Sequence, residues 1–500
     1  MREVFEFCVD KNSDTVYTAS FEVPYSCMRI SISWDTPDGV SQYGTIAVFD
    51  SKGRIRLQKM LGCNEKLVGI GQDNKETTIG GIPGQIEAGM WTIKIYIPME
   101  YLRKYIGDAS IPVRLTVSDE DYTITDHIGD CIWADKDFNY SGYDTDRIYK
   151  KGKGWYKGDL HTHTRLSDGK ESPERVMEKA HMMKLDYYMA TEHNVMHTAW
   201  PESDILVLPG VELTTSLGHA NLFGLRGRPD FINDVLEQSS NDKALLGLLK
   251  YIAGWCRGNR VLFSINHPFL YEWKWLYNEL PLEDVSCLEI INDPTYESVE
   301  TAHAHEANEQ AVRMADLLWA DGYQICAVGG SDSHNRIDEL YEGATEPSIA
   351  GDPATWLYME ELSAQNVYGA LRNCHACITR YIDEFGIELF ADEEKIYPGS
   401  EINREANIIS WKISIKSRTH NPALFVMIDG EKTELLLKSM DDVHYEGSGV
   451  ISLSNEKYCW MRFGAAGESG EFMMYTNPIF KGTKKHSLHT FGEAKEMLAL

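Results

Sequence analysis

The sequence predicts a multidomain α/β plus β protein, with a central β/α barrel between an N-terminal β-sandwich and a C-terminal Ig-like β domain. Three observations lead there. The first 150 residues alternate polar and apolar positions and show no convincing long helix. From about Trp155 to Tyr381, short apolar runs alternate with helix-like segments. From about Asp383 the two-residue alternation returns. A chain of 500 residues also exceeds what one core organises, so two or three domains are expected.

In the first region, SCMRISISW, YGTIAVFD, MWTIKIYI and VRLTVS read as half-buried strands separated by Gly- and Asp-rich turns. In the middle region, Ser172-Pro173 is a helix start, and Val176, Ala180 and Met183 follow at helical spacing. The runs DYYMA, ILVLPG, ANLFGL, VLFSI, CLEII and ICAVGG read as buried strands between helices. In the last region, IISWKISIKS, ALFVMIDG, CWMRFGAA and EFMMYTN form strands of a second small sandwich. The expected divisions are 1–150, 151–382 and 383–500.

A net charge of −28 repels nucleic acid and anionic membranes, so a small-molecule substrate is expected and an anionic one needs local positive charge. No apolar run is long enough for a signal peptide or a membrane span, and the ten scattered cysteines read as reduced thiols, so a cytoplasmic location is expected. The lone CxxC, Cys374 to Cys377, reads as structural. Oligomeric state is not legible.

The chemistry is concentrated in GDLHTHTRLSDG, which places His161, His163 and Asp168 within eight positions. Two histidines at i and i+2 on a strand point to one side and can reach one metal. Other strand ends repeat the theme: His193 in TEHN, Glu212 after LVLPGV, His219 before ANLFGL, His267 in NHP, and Asp332 and His334 in SDSH. A single strand-end histidine is ordinarily a packed or capping residue. Nine such groups facing one cavity would be costly to bury without metal.

As a set, HTHTRLSDG, TEHN, PGVELTT, GHANLFG, NHP and GGSDSH resemble the PHP (polymerase and histidinol phosphatase) superfamily over roughly 155–340. GWYKGDLHTHT, LRNCHACITR and the TNPIF strand are most similar to its carbaryl-hydrolase-like CehA/McbA branch. The resemblance implies a distorted seven-stranded β/α barrel and two or three divalent ions, Zn, Mn or Fe. It implies a first site of His161, His163, Glu212 and Asp332, with Glu212 bridging to a second at His219 and His267. Asp168, His193 and His334 would form the third. Glu192 stands where the family more often has Asp.

The chemistry so implied is attack by metal-bound hydroxide, with Asp332, His334 or coordinated water as acid. Arg165 and Arg336 could bind a phosphate oxygen or form surface salt bridges. Phe269–Trp275 could wall a substrate or simply pack. His303 and His305 sit on a helical pattern and read as exposed. The expected function is a phosphoesterase on a small phosphate ester. The alternatives are a carbamate, ester or amide hydrolase, a non-catalytic carbohydrate- or surface-binding protein, and, least compatible with the acidic surface, a nuclease.

Overall fold

The computed structural model describes residues 1–35, 44–61, 66–298, 304–341, 344, 346–418, 421–453 and 457–499. The N-terminal region forms two four-stranded antiparallel sheets. One runs Arg2–Val9, Ile111–Ser118, Ile30–Asp35, Leu67–Ile70; the other runs Val16–Val23, Gly89–Tyr96, Thr45–Phe49, Ile55–Met60. Their inward residues, among them Phe21, Trp34, Trp91 and Leu115, share one apolar cluster. The two-residue period makes this possible, because alternate side chains leave opposite faces of a strand.

In the middle region, Lys150–Asp159 pairs in parallel with Tyr187–Ala190, which pairs in parallel with Leu206–Thr215. The chain then turns back in a hairpin to Gly218–Phe223, with Thr214 opposite His219. Leu262–Ile265, Cys287–Asn292 and Cys326–Gly330 continue the sheet. On its other side Lys150–Asp159 pairs antiparallel with Ala354–Leu362, and that strand with Ala376–Thr379.

The expected barrel is therefore corrected to a curved, open sheet. Among the described residues no backbone ladder joins Cys326–Gly330 to the far side. Side chains bridge the gap instead. The Thr355 hydroxyl accepts from Gly329 N–H at 2.9 Å and donates to Gly329 C=O at 2.7 Å. The Asn477 amide accepts from Ala327 N–H and donates to the carbonyls of Ala327 and Ala376. Two side chains that mimic peptide groups satisfy the edge that a further strand would otherwise cover.

The C-terminal region is continuous with this sheet: Ile378 on Ala376–Thr379 pairs with Tyr475 on Phe472–Thr476. A second sheet of Ile382–Ala391, Ile408–Ser417 and His444–Ser452, with two short flanking strands, packs on it through Ile387, Ile413, Met461 and Met473. No helix among the described residues is long and apolar enough to cross a membrane.

Of the CxxC, Cys377 packs with Trp356 whereas Cys374 belongs to the apolar cluster around Tyr187, so the two face different surroundings. Of the helical histidines, His305 is exposed beside Glu309 on Ala304–Ala320, and His303 lies outside the described residues.

Candidate metal centre

Strand direction gathers the site. His161, His193, His267 and Asp332 each follow the last residue of a strand by two or three positions, and the strands that carry them end at one face. Gly218–Phe223 runs the other way, so His219 reaches that face from its strand's beginning. All nine expected residues lie within one chain of contacts there.

The innermost four are His161, His163, Glu212 and Asp332. His161 Nε2 lies 3.2 Å from Glu212 Oε1 and 3.3 Å from Asp332 Oδ1. His163 Nε2 lies 3.5 Å from Glu212 Oε2 and 3.0 Å from Asp332 Oδ1. His161 Nε2, His163 Nε2, Glu212 Oε2 and Asp332 Oδ1 are buried and make no hydrogen bond of acceptable geometry. A tetrahedral shell with bonds of about 2.0–2.1 Å needs ligand atoms about 3.3 Å apart. His161, His163 and Glu212 form a group able to hold an ion, and Asp332 Oδ1 reaches both histidines at about that spacing, so the donors suit a divalent ion in chemistry.

Glu212 extends the cluster. Its Oε1 lies 3.2 Å from His219 Nδ1 and 3.5 Å from His267 Nε2, and takes a hydrogen bond from the Asn266 amide. Its Oε2 lies 2.7 Å from His193 Nδ1. At the mouth, Asp168 Oδ1 is 3.5 Å from His193 Nε2 and 3.3 Å from His334 Nε2. His163 joins Asp168, His193 and His334 as a group able to hold an ion, while His193, Glu212 and His219 form another.

Electrostatics match this reading. Burial alone would raise the Glu212 carboxyl, but His161, His193 and His219 outweigh it and hold it well below the ordinary range. Burial, with His334 and His193 nearby, lowers His163 to about 4 and keeps its ring neutral. Against burial, Asp332, Glu289 and Glu212 raise His161, and Asp168 and Asp332 raise His334 to about 10. The carboxylates draw protons onto imidazoles at positions where a cation would compete with those protons.

Apart from the position of Glu192, sequence reasoning missed the supporting groups. Glu289 sits inside Cys287–Asn292; its Oε1 lies 3.0 Å from His161 Nδ1 and its Oε2 accepts from His267 N–H at 2.8 Å. This fixes a His161 tautomer with Nε2 free to ligate. Asn292 donates to Glu289 and to Asp332. Glu192 accepts from Thr164 N–H and hydroxyl and from Ser167 N–H, and lies 2.8 Å from His197 Nε2, anchoring the turn that carries Asp168. A carboxylate inside the apolar run CLEIIN was the one available signal for Glu289.

The two arginines stand apart from the cavity beside the cluster. Arg165 donates to Asp126 at 3.0 Å and to Lys170 C=O, and it lines a different cavity with His127 and Pro173. Its fork is taken by a carboxylate some forty residues upstream. Arg336 has an exposed side chain. Neither lines the cavity beside the cluster. The 269–275 segment divides: Trp273 faces that cavity, Trp275 is fully buried, and Phe269 stacks on Phe491.

No protein-family model matches the chain, and no curated protein does. Among solved structures, a two-domain protein of Bacteroides vulgatus containing a predicted PHP-like metal-dependent phosphoesterase is 16% identical, over 67% of this chain and 99% of that one, with a TM-score of 0.34. A Bifidobacterium adolescentis protein provisionally described as a metal-dependent phosphoesterase is 16% identical, over 38% of this chain and 92% of that one, with a TM-score of 0.24. Neither is described as a carbaryl hydrolase. Likeness of this degree leaves the site to be judged on its own residues.

Proposed function

We propose that the chain is a PHP-superfamily metal-dependent hydrolase, acting on a small phosphate ester through two or three divalent ions. The buried group of His161, His163 and Glu212, with Asp332 Oδ1 within 3.3 Å of both histidines, carries this reading. His161, His163, Glu212 and Asp332 would hold one ion, Glu212 with His219 and His267 a second, and Asp168, His193 and His334 a third. Such ions lower the pKa of coordinated water toward ~7 and offset charge on substrate oxygens. Three divalent ions would outweigh the carboxylates of Asp168, Glu212, Glu289 and Asp332 and leave the centre positive, which suits a phosphate despite the acidic surface.

The protein's own part is placement and proton handling. Glu289 sets His161, and Asn292 sets Asp332. His334 Nδ1 lies 2.7 Å from Asp332 C=O, so its Nε2 faces Asp168 and the open side. With the third ion absent, His334 is free to deliver a proton to the leaving oxygen; with His334 and Asp332 both ligating, coordinated water is the remaining acid. We further propose the divisions 1–150, 151–382 and 383–500. Nine unpaired cysteines among the described residues suit a reducing compartment, which supports a cytoplasmic location.

A second reading, hydrolysis of a carbamate, ester or amide as in the carbaryl-hydrolase-like branch, is favoured by one observation. The cavity beside the cluster is lined by Met60, Tyr96, Pro98, Leu236 and Trp273 and by no lysine or arginine among the described residues. Assay with added Mn, Zn or Fe on p-nitrophenyl phosphate, its bis-ester, a naphthyl carbamate and a p-nitrophenyl acyl ester separates the readings. His161→Ala controls for contamination. Phosphate turnover that His161→Ala abolishes supports the phosphoesterase; turnover of carbamate or acyl ester alone replaces it with the second reading.

A further inference from the structure

The cavity at the mouth of the cluster is about 190 Å³, small beside ordinary ligand pockets of roughly 300–1,000 Å³. One wall carries Asp168, His193 and His219. Another part of the lining comes from the N-terminal region: Thr45, Met60 and Tyr96 lie on its sheets, and Pro98 precedes the helix Met99–Ile106. Leu236, Ser239, Glu272 and Trp273 add to it.

The N-terminal part is firmly held. Met60 N–H donates to Leu166 C=O at 3.0 Å, two residues before Asp168. The Gln58 amide donates to Met196 C=O and accepts from Arg228. Lys94 pairs with Glu237 at 2.7 Å, and Ala47, Ile82 and Tyr96 pack in the core of the middle region. Two wall hydroxyls lack partners: those of Tyr96, 1% exposed, and of Ser239 are both buried without a hydrogen bond. A buried hydroxyl without a partner is unfavourable, and a ligand that bonds it removes that cost. Beside these hydroxyls the lining offers the apolar Met60, Pro98, Leu236 and Trp273, the Thr45 hydroxyl and the Glu272 carboxylate, and no cationic group among the described residues.

We infer that the N-terminal region supplies the specificity wall of this site, and that its substrate carries an apolar non-reacting group without negative charge that bears a hydrogen-bonding heteroatom, held by Met60, Pro98 and Trp273 with Tyr96 and Ser239. The inference rests on the hydrolase reading for what happens at the metal side, not for the wall itself. An anionic group at this end would be stripped of water with no cation opposite it. A neutral group that lacks the heteroatom would leave both hydroxyls unpaired.

The test uses the full chain as purified, with four phosphate monoesters: methyl, phenyl, 4-(hydroxymethyl)phenyl and 4-carboxyphenyl. The expected order of kcat/KM is hydroxymethylphenyl above phenyl, with methyl and carboxyphenyl at least about tenfold lower. Tyr96→Phe, which changes no shape, should remove most of the advantage of hydroxymethylphenyl over phenyl. Met60→Asp should cut the phenyl-to-methyl ratio about tenfold. In parallel, 4-fluorobenzyl alcohol is titrated by fluorine NMR against wild type and both variants, with weaker binding expected in each. A flat ester series with no variant effect overturns the wall and leaves the hydrolase standing. Binding of the alcohol that Met60→Asp weakens, with no ester turned over, supports the wall and removes the phosphoesterase. Failure of wild type to bind the alcohol, with no dependence on the ester group, overturns the inference.

Discussion

The inner and outer parts of the cluster are built differently. His161, His163, Glu212, His219 and His267 are each 5% exposed or less, and Glu212 and His219 lie on regular strands. Asp168, His193 and His334 follow strand ends with side chains 39%, 14% and 23% exposed, and Asp332, at 16%, lies between the two groups. The inner residues are also braced by Glu289, Asn266 and Asn292 through buried hydrogen bonds. A braced, buried donor set loses little freedom on binding an ion. An exposed one is where ions and substrate exchange with solvent. The contrast predicts that the inner group sets affinity and the outer one turnover.

The sharpest break is Glu212→Gln. It removes the carboxylate that touches His161, His163, His193, His219 and His267. Activity should fall by about a thousandfold or more, with loss of at least one bound ion by elemental analysis. Glu289→Gln touches only the brace and should weaken metal affinity about 10–100-fold by competition with a chelating dye, while the fold persists by circular dichroism.

Asp168→Asn should act on the outer group alone. One ion is lost, activity drops, and the inner metal content stays at its wild-type value. Equal loss of all ions in this variant would erase the distinction between the groups. Glu192→Ala reaches the same turn through stability. It strands the donors on Thr164, Ser167 and His197, and should cost about 3–5 kcal/mol in denaturant unfolding.

The smallest effect on the centre belongs to Lys157, on the strand that leads to His161. Burial, with Arg418 nearby, lowers its ammonium from 10.5 to about 8. Below pH 8 the folded chain carries a buried charge. As pH rises from about 8 towards 10.5 the folded chain sheds that proton before the unfolded one, so stability rises with pH. Lys157→Met should be more stable at pH 7 by about 2 kcal/mol, after loss of the bond to Met183 C=O, and the gap should close by pH 10. Its metal content should not change.

Much of the inner group was legible because local spacing encodes it. His161 and His163 stand at i and i+2 beside one strand end, and Asp332 and His334 repeat the pattern beside another. The sheet alternation of both flanking regions was legible for the same reason. What was not legible depends on distant partners. Asp126 takes the Arg165 fork, Asn477 closes on Ala327, and Met60 and Tyr96 reach a cavity whose other wall lies more than 70 residues on. The turn from Leu206–Thr215 into Gly218–Phe223 was read as strand–helix alternation, but Gly218 at φ 113° makes a hairpin. Glu289 lay between, in plain view within an apolar strand and passed over because one carboxylate has no spacing partner.

The most direct test of the central claim is the metal content of chain purified without chelators and measured by elemental analysis beside Glu212→Gln and Asp168→Asn. Two or three divalent ions per wild-type chain, falling by one in Asp168→Asn and further in Glu212→Gln, are predicted. A folded wild-type chain that holds no ion after incubation with Zn, Mn or Fe would contradict the account.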